Sequence, residues 1–177
     1  MTPLSHLDAQ GRVRMVDVSA KSESAREAVA RGRVRMAPAT LRLLRAGGGP
    51  KGNALATAHL AAVMAAKRTG EWIPLAHTLG VEAVDVAFAF EPRPAAVSIE
   101  CRVRTTGRTG VEMEALTAVA AAALTLVDML KAVDRTLVIG DIALWEKRGG
   151  RSGEWLRAPA TRANPTPSRP GPKRRVR

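Results

Sequence analysis

The chain has 177 residues, 46% of them hydrophobic and only 3% aromatic, with no tyrosine and a formal net charge of +12. That length and apolar fraction suit one compact core built from Ala, Val, Leu, Ile and Met. The scarcity of rings argues against nucleic-acid binding by base stacking, and the single cysteine, Cys101, excludes an intrachain disulfide and a cysteine zinc site.

Residues 1–10 lack the basic start and apolar run of a signal peptide. No apolar segment reads as long enough to cross a bilayer, the alanine-rich stretch after Glu114 included. A reducing, cytoplasmic setting with no membrane contact is the expectation. Residues 1–23 are polar and irregular. Over 24–36 the pattern comes to alternate, Val34 and Met36 against Arg33 and Arg35, which predicts a strand. Pro38 opens a short helix with Leu41, Leu43 and Leu44, stopped by Gly47, Gly48, Gly49 and Pro50. Asn53 is a good N-cap for a second helix that runs to about Lys67 and ends near Gly70. Strands follow at 81–90, with Val84, Val86, Phe88 and Phe90 on one side, and at 97–104, with Val97, Ile99, Cys101 and Val103 inward. The E-P-R-P link between them reads as a hairpin connection. A long helix over 111–131 and a last strand over 137–145, interrupted by Gly140, complete the order. The result is an α+β, ferredoxin-like β-α-β-β-α-β sandwich with an antiparallel sheet and helices on one face. It occupies residues 1–156 as a single domain.

Residues 157–177 hold seven basic residues, five prolines and no acid, so five of the twelve net charges remain for residues 1–156. That composition predicts a disordered basic tail. It reads as a solvated extension or as a weak attraction for polyanions, with nucleic acid the less favoured partner.

The stretch 105–131 carries the densest chemistry. Thr109 stands three residues before Glu112, which predicts a capping box. Glu114 is either a first-turn acid favoured by the helix dipole or a substrate group. Asp128 and Lys131, at i and i+3, form a surface ion pair or an acid–base pair at a pocket edge. Fourteen positions of helix separate Glu114 from Asp128 by about 21 Å, too far for one small substrate to touch both within one chain. A site completed by two subunits, and hence an obligate symmetric oligomer, is the favoured solution. Lys51-Gly52-Asn53 follows a glycine-rich loop and opens a helix, which makes either an anion site or a loop with a solvated lysine. Lys21, Arg26, Lys67-Arg68 and Lys147-Arg148 are unremarkable singly and form a polyphosphate seat if brought together. His77 reads as structural or functional. His6, His59 and His77 have no metal-ligand spacing, so no protein-bound transition metal is expected.

These segments together resemble the cyclic pyranopterin monophosphate synthase family, molybdenum cofactor biosynthesis protein C. The matching pieces are M-V-D-V-S-A-K at 15–21, K-G-N at 51–53, A-A-K-R-T at 65–69, I-P-L-A-H at 73–77, T-G-V-E-M-E-A-L-T-A at 109–118, D-M-L-K-A-V at 128–133 and K-R-G-G-R-S-G at 147–153. The resemblance covers about residues 4–156 and not the tail. It implies conversion of 3′,8-cyclo-7,8-dihydroguanosine 5′-triphosphate into cyclic pyranopterin monophosphate and diphosphate, a phosphorus–oxygen lyase reaction. It further implies a homohexamer, a trimer of dimers, with active sites at dimer interfaces. Lys51, Asp128 and Lys131 are implied as catalytic groups. Leu75, Ala76, His77, Met113 and Glu114 fall in substrate-contacting segments, with Glu112 close by and Lys21, Arg26, Lys67 and Lys147 as cations for the phosphates. No cofactor is implied, and Mg2+ accompanying the triphosphate is left open. The family pattern has Cys-His-Pro where this chain has Ala76-His77-Thr78. That difference motivates the alternative of a non-catalytic phosphoanion- or nucleotide-binding scaffold on the same fold.

Overall fold

The computed structural model describes residues 7–8, 10–151 and 153–158. The tail expected over 157–177 lies outside the described residues from 159 onward. The elements in chain order are β1 (Ser24–Arg35), α1 (Pro38–Arg45), α2 (Ala54–Lys67), α3 (Thr69–Trp72), β2 (Ala83–Pro92), β3 (Ala95–Gly107), α4 (Glu112–Leu130), β4 (Val138–Arg148) and β5 (Trp155–Leu156). The sheet runs β2-β3-β1-β4-β5 and every pairing is antiparallel. This is the expected α+β sandwich, with the short helix α3 and the two-residue strand β5 added to it.

Alternation along β3 places Val97, Ile99, Cys101 and Val103 in the core, while Glu100 and Arg102 face the other side and pair with Arg31 and Glu27 across β1. Cys101 is fully buried, and desolvation pushes its thiol up to about 12, so it acts as a small hydrophobe. The helical layer is built on alanine. Ala54, Ala58, Ala62 and Ala66 of α2 meet Ala115, Ala118, Ala122 and Ala123 of α4 in one core cluster. Small side chains let helix and sheet approach closely. At Gly32 on β1 a Cβ would lie 2.6 Å from Val119 Cγ1 of α4, so that position accepts only glycine without rearrangement.

Asn53 caps α2 by accepting from Ala56 N–H at 3.0 Å. The capping box expected at α4 is not formed. Val111 is the N-cap and no side chain bonds to the helix start, because the Glu112 carboxylate turns toward Lys147 at 3.3 Å instead. The β4 strand is bulged at two places against β1, and Asp141, next to Gly140, has φ 57°. The expectation that no segment has the length to cross a membrane is corrected in one respect. By length and composition α4 does qualify, because alanine counts as apolar, yet 61% of its apolar window is buried inside the fold.

Candidate active site

The turn between β3 and α4 and the segment after α3 together enclose a cavity of about 300 Å3. Leu75, Ala76, His77 and Leu79 form one wall, and Gly110, Glu112, Met113 and Glu114 form the other. Val16, Val18 and Lys21 close it from the N-terminal segment. His77 is held by a 2.8 Å hydrogen bond between Nε2 and the Val16 carbonyl. A carbonyl only accepts, so Nε2 carries a proton, and in the neutral ring Nδ1 is the acceptor. Glu114 is 3% exposed. Burial pushes its carboxyl up to about 7, and the neighbouring Glu112 charge adds to the effect. A carboxyl poised there can give or take a proton near neutrality.

A second cavity of about 270 Å3 shares Lys21, Thr109, Gly110 and Glu112 with the first. It adds Arg26, Arg108, Lys147, Arg148 and Arg151, with Glu27 the other carboxylate. A neutral, ring-sized pocket thus opens into a strongly cationic one. Arg26 is fixed at this boundary, donating from Nε to the Gly107 carbonyl at 3.2 Å and from Nη2 to the Arg108 carbonyl at 3.4 Å.

The other end of α4 carries a separate cluster. Asp128 accepts from Lys51 at 2.8 Å and from Lys131 at 2.7 Å, one oxygen to each ammonium. Lys131 first and Lys51 second hold the Asp128 carboxyl down at about 2. All three side chains are about half exposed, so the cluster faces outward rather than into the core.

The structure therefore brings Leu75, Ala76, His77, Glu112, Met113 and Glu114 together at the start of α4, with Lys21, Arg26 and Lys147 beside them. It brings Lys51, Asp128 and Lys131 together at the far end. Lys67 joins neither group; it is exposed in the last turn of α2 and lines neither cavity. Sequence reasoning did not single out Val16, Val18, Thr109 or Arg108 as wall residues. For Arg108 and Thr109 the signal was the glycine-bracketed turn Gly107–Gly110, which aims whatever it carries at the helix start.

The MoaC family model matches residues 15–150. The chain belongs to the MoaC family. Relatives named cyclic pyranopterin monophosphate synthase include one from Chloroflexus aggregans, 61% identical over 154 residues, which cover 87% of this chain and 93% of the relative. Others come from Heliobacterium modesticaldum, 55% identical over 89% of this chain and 99% of the relative, and from Thermomicrobium roseum, 57% identical over 89% and 95%. The MoaC match contains both clusters, from Lys21 to Lys147. Among the described residues no three His, Cys, Asp or Glu side chains are grouped to hold a metal.

Proposed function

We propose that this chain is a cyclic pyranopterin monophosphate synthase of molybdenum cofactor biosynthesis, acting in the cytoplasm as a phosphorus–oxygen lyase. It takes 3′,8-cyclo-7,8-dihydroguanosine 5′-triphosphate and releases the cyclic pterin monophosphate and diphosphate. The observation that carries this reading is the continuity of the two cavities through Lys21, Thr109, Gly110 and Glu112. A purine-derived ring fits the first and a triphosphate fits the second. Opening the five-membered ring and closing the pterin both need proton transfers, for which Glu114 and His77 stand in the ring cavity. Attack of a ribose-derived hydroxyl on the α-phosphorus then expels diphosphate, and the surrounding cations stabilise the charge on it. No protein ligand set for a metal enters this scheme; magnesium would arrive on the triphosphate.

Lys51, Asp128 and Lys131 enter the same site from a second copy. The midpoint between Glu114 and Asp128 on α4 is Ala121. That residue lines an apolar groove with Leu124, Thr125, Met64 and Trp72, and Leu124 is 55% exposed. A twofold axis there lays α4 antiparallel on the partner's α4, burying the groove and bringing each ion cluster toward the other chain's Glu114 cavity. The trimer of such dimers is the hexamer. The test is incubation of the purified protein with the cyclic nucleotide triphosphate, followed by assay of pterin and diphosphate. Stoichiometric formation of both is expected. Binding without turnover would replace the enzyme by a phosphoanion-binding scaffold.

A further inference from the structure

Residues 10–22 are mostly exposed, and Val16 and Val18 close the ring cavity from that segment. We propose that Val16 is a positioning residue: its carbonyl oxygen fixes His77 in the Nε2–H form, so that the imidazole meets the bound ring as a proton acceptor through Nδ1. The inference rests on the reaction proposed above and divides its proton transfers between two side chains.

The segment is built to present that carbonyl. A tight turn precedes it, in which Asp8 accepts from the N–H groups of Gln10 and Arg12 at 2.9 Å and Leu7 bridges to Val13. A second turn follows it, in which Asp17 accepts from Ser19 N–H at 2.8 Å and Lys21 N–H donates to the Val18 carbonyl at 3.0 Å. Among the described residues, the hydrogen bonds of 10–22 stay within the N-terminal segment with one exception, the 2.8 Å bond from His77 to Val16. The body of the fold holds His77 from the other side. Ala76 N–H donates to the Ile73 carbonyl at 3.0 Å, and Thr78 lies so close to Gly70 of α3 that a Cβ there would be 2.9 Å from its hydroxyl. The imidazole is thus fixed at its base by the loop after α3 and at its tip by the strap across it.

The chemistry of the acceptor decides which nitrogen is left to react. A main-chain carbonyl neither donates nor titrates, so it selects the Nε2–H form wherever the ring is neutral. Nδ1 receives no hydrogen bond among the described residues and keeps its lone pair for a ligand. The other charged or titratable groups lining the cavity are Lys21, Glu112 and Glu114. Glu112 is engaged with Lys147. Burial lets Glu114 retain a proton near neutrality, so the cavity holds one acceptor and one donor. In ring opening, Nδ1 takes a proton from the substrate while Nε2 keeps its own, which leaves an imidazolium. The Glu114 carboxyl gives its proton to a ring nitrogen and becomes a carboxylate. The two charges offset one another, and the reverse transfers during pterin closure restore both groups.

Nitrogen-edited proton spectra of the full chain, with the histidine ring nitrogens labelled, test the assignment, and His77→Gln identifies the signal. The wild type should show a His77 Nε2–H proton protected from water and no Nδ1–H. Val16 is half-buried and lies outside the core cluster, so Val16→Gly frees the strap without disturbing the core. Exchange of the Nε2–H proton with water is expected to quicken about tenfold. In the assay, Val16→Gly should lower kcat about tenfold and move KM less than about twofold. In a His77→Gln background the same change should cost less than about twofold, because Val16 acts through the ring. A His77 proton found on Nδ1, an exchange rate unmoved by Val16→Gly, a loss carried by KM alone, or equal losses in both backgrounds overturns the proposal. A wild type with the expected proton signal that makes no pterin keeps the fixed imidazole and removes the reaction.

Discussion

Lys51 Nζ lies 2.8 Å from Asp128 Oδ2 across 77 residues of sequence, and Lys131 Nζ lies 2.7 Å from the other oxygen of the same carboxylate. One aspartate therefore fixes the positions of two ammonium groups. The Gly-rich loop after α1 delivers Lys51 to the end of α4, and helical spacing delivers Lys131. A carboxylate held at about 2 stays ionised at neutral pH and makes a weak base. Its effect is to hold two ammonium groups in place, and these are the proton donors of the proposed reaction.

Asp128→Asn should cut activity about 100-fold or more while barely moving the melting temperature. The pair is half exposed, so its contribution to folding is small, whereas the aim of both lysines depends on the charge. Steady-state rates and thermal melts on the same preparation check this. A variant that keeps full activity would remove Asp128 from the catalytic machinery.

Glu114 gives a pH dependence of stability with a definite sign. Its folded value of about 7 lies above the ordinary 4.5, so the unfolded chain ionises first as pH rises. Stability is fully present below about pH 4.5 and is lost as pH climbs through about 7, by on the order of 3 kcal/mol at most. Glu114→Gln should abolish that loss. Urea melts of both proteins at pH 5 and pH 8 decide it: equal trends in wild type and variant would show that Glu114 is not the group responsible.

Asp134 predicts a stability effect. It is 6% exposed and accepts from Ala37 N–H, Thr40 Oγ1, Thr136 N–H and Thr136 Oγ1 at 2.6–2.8 Å. It ties the start of α1, which has no cap of its own, to the turn after α4. Asp134→Ala leaves the buried Thr40 hydroxyl and the half-buried Ala37 N–H without their acceptor, while the exposed Thr136 donors turn to water, and a loss of about 1–3 kcal/mol is expected in denaturant melts. Because the chain between α1 and α2 carries Lys51, the same variant should also raise the exchange rates of amides in residues 46–53.

Which parts of this arrangement are legible in the sequence follows from the range of the interactions involved. The inward row of β3, the Asn53 cap and the extent of α4 are set by pleat, cap and helical period, all within a few residues. The two-residue β5 has no alternation to read; it exists because Arg157 N–H and Trp155 reach back to β4. The capping box fails because Lys147, 35 positions on, competes for Glu112. Lys51 and Asp128 each stand out singly, but their contact depends on α2 and α4 packing antiparallel. Val16 and Val18 line the ring cavity because the chain before β1 folds across His77; the run at 15–21 marks the segment by resemblance, but it has no period from which that contact could be read.

Subunit complementation tests the two-chain site. Lys131→Ala and Glu114→Ala proteins should each be nearly inactive. If each site takes Glu114 from one chain and Lys131 from its partner, a mixed dimer has one site with both groups and one with neither. Random exchange makes half the dimers mixed, so about a quarter of wild-type activity should return. If both groups came from one chain, every site would lack one of them and mixing would recover nothing. Exchange itself must be followed in the same samples, by native mass spectrometry of the two tagged variants. Mixed oligomers that form and stay inactive would sink the shared site. Leu124→Glu then locates the interface: a charge placed at the centre of the groove should release monomers and abolish complementation, while the Lys51–Asp128 contact within each chain stays intact.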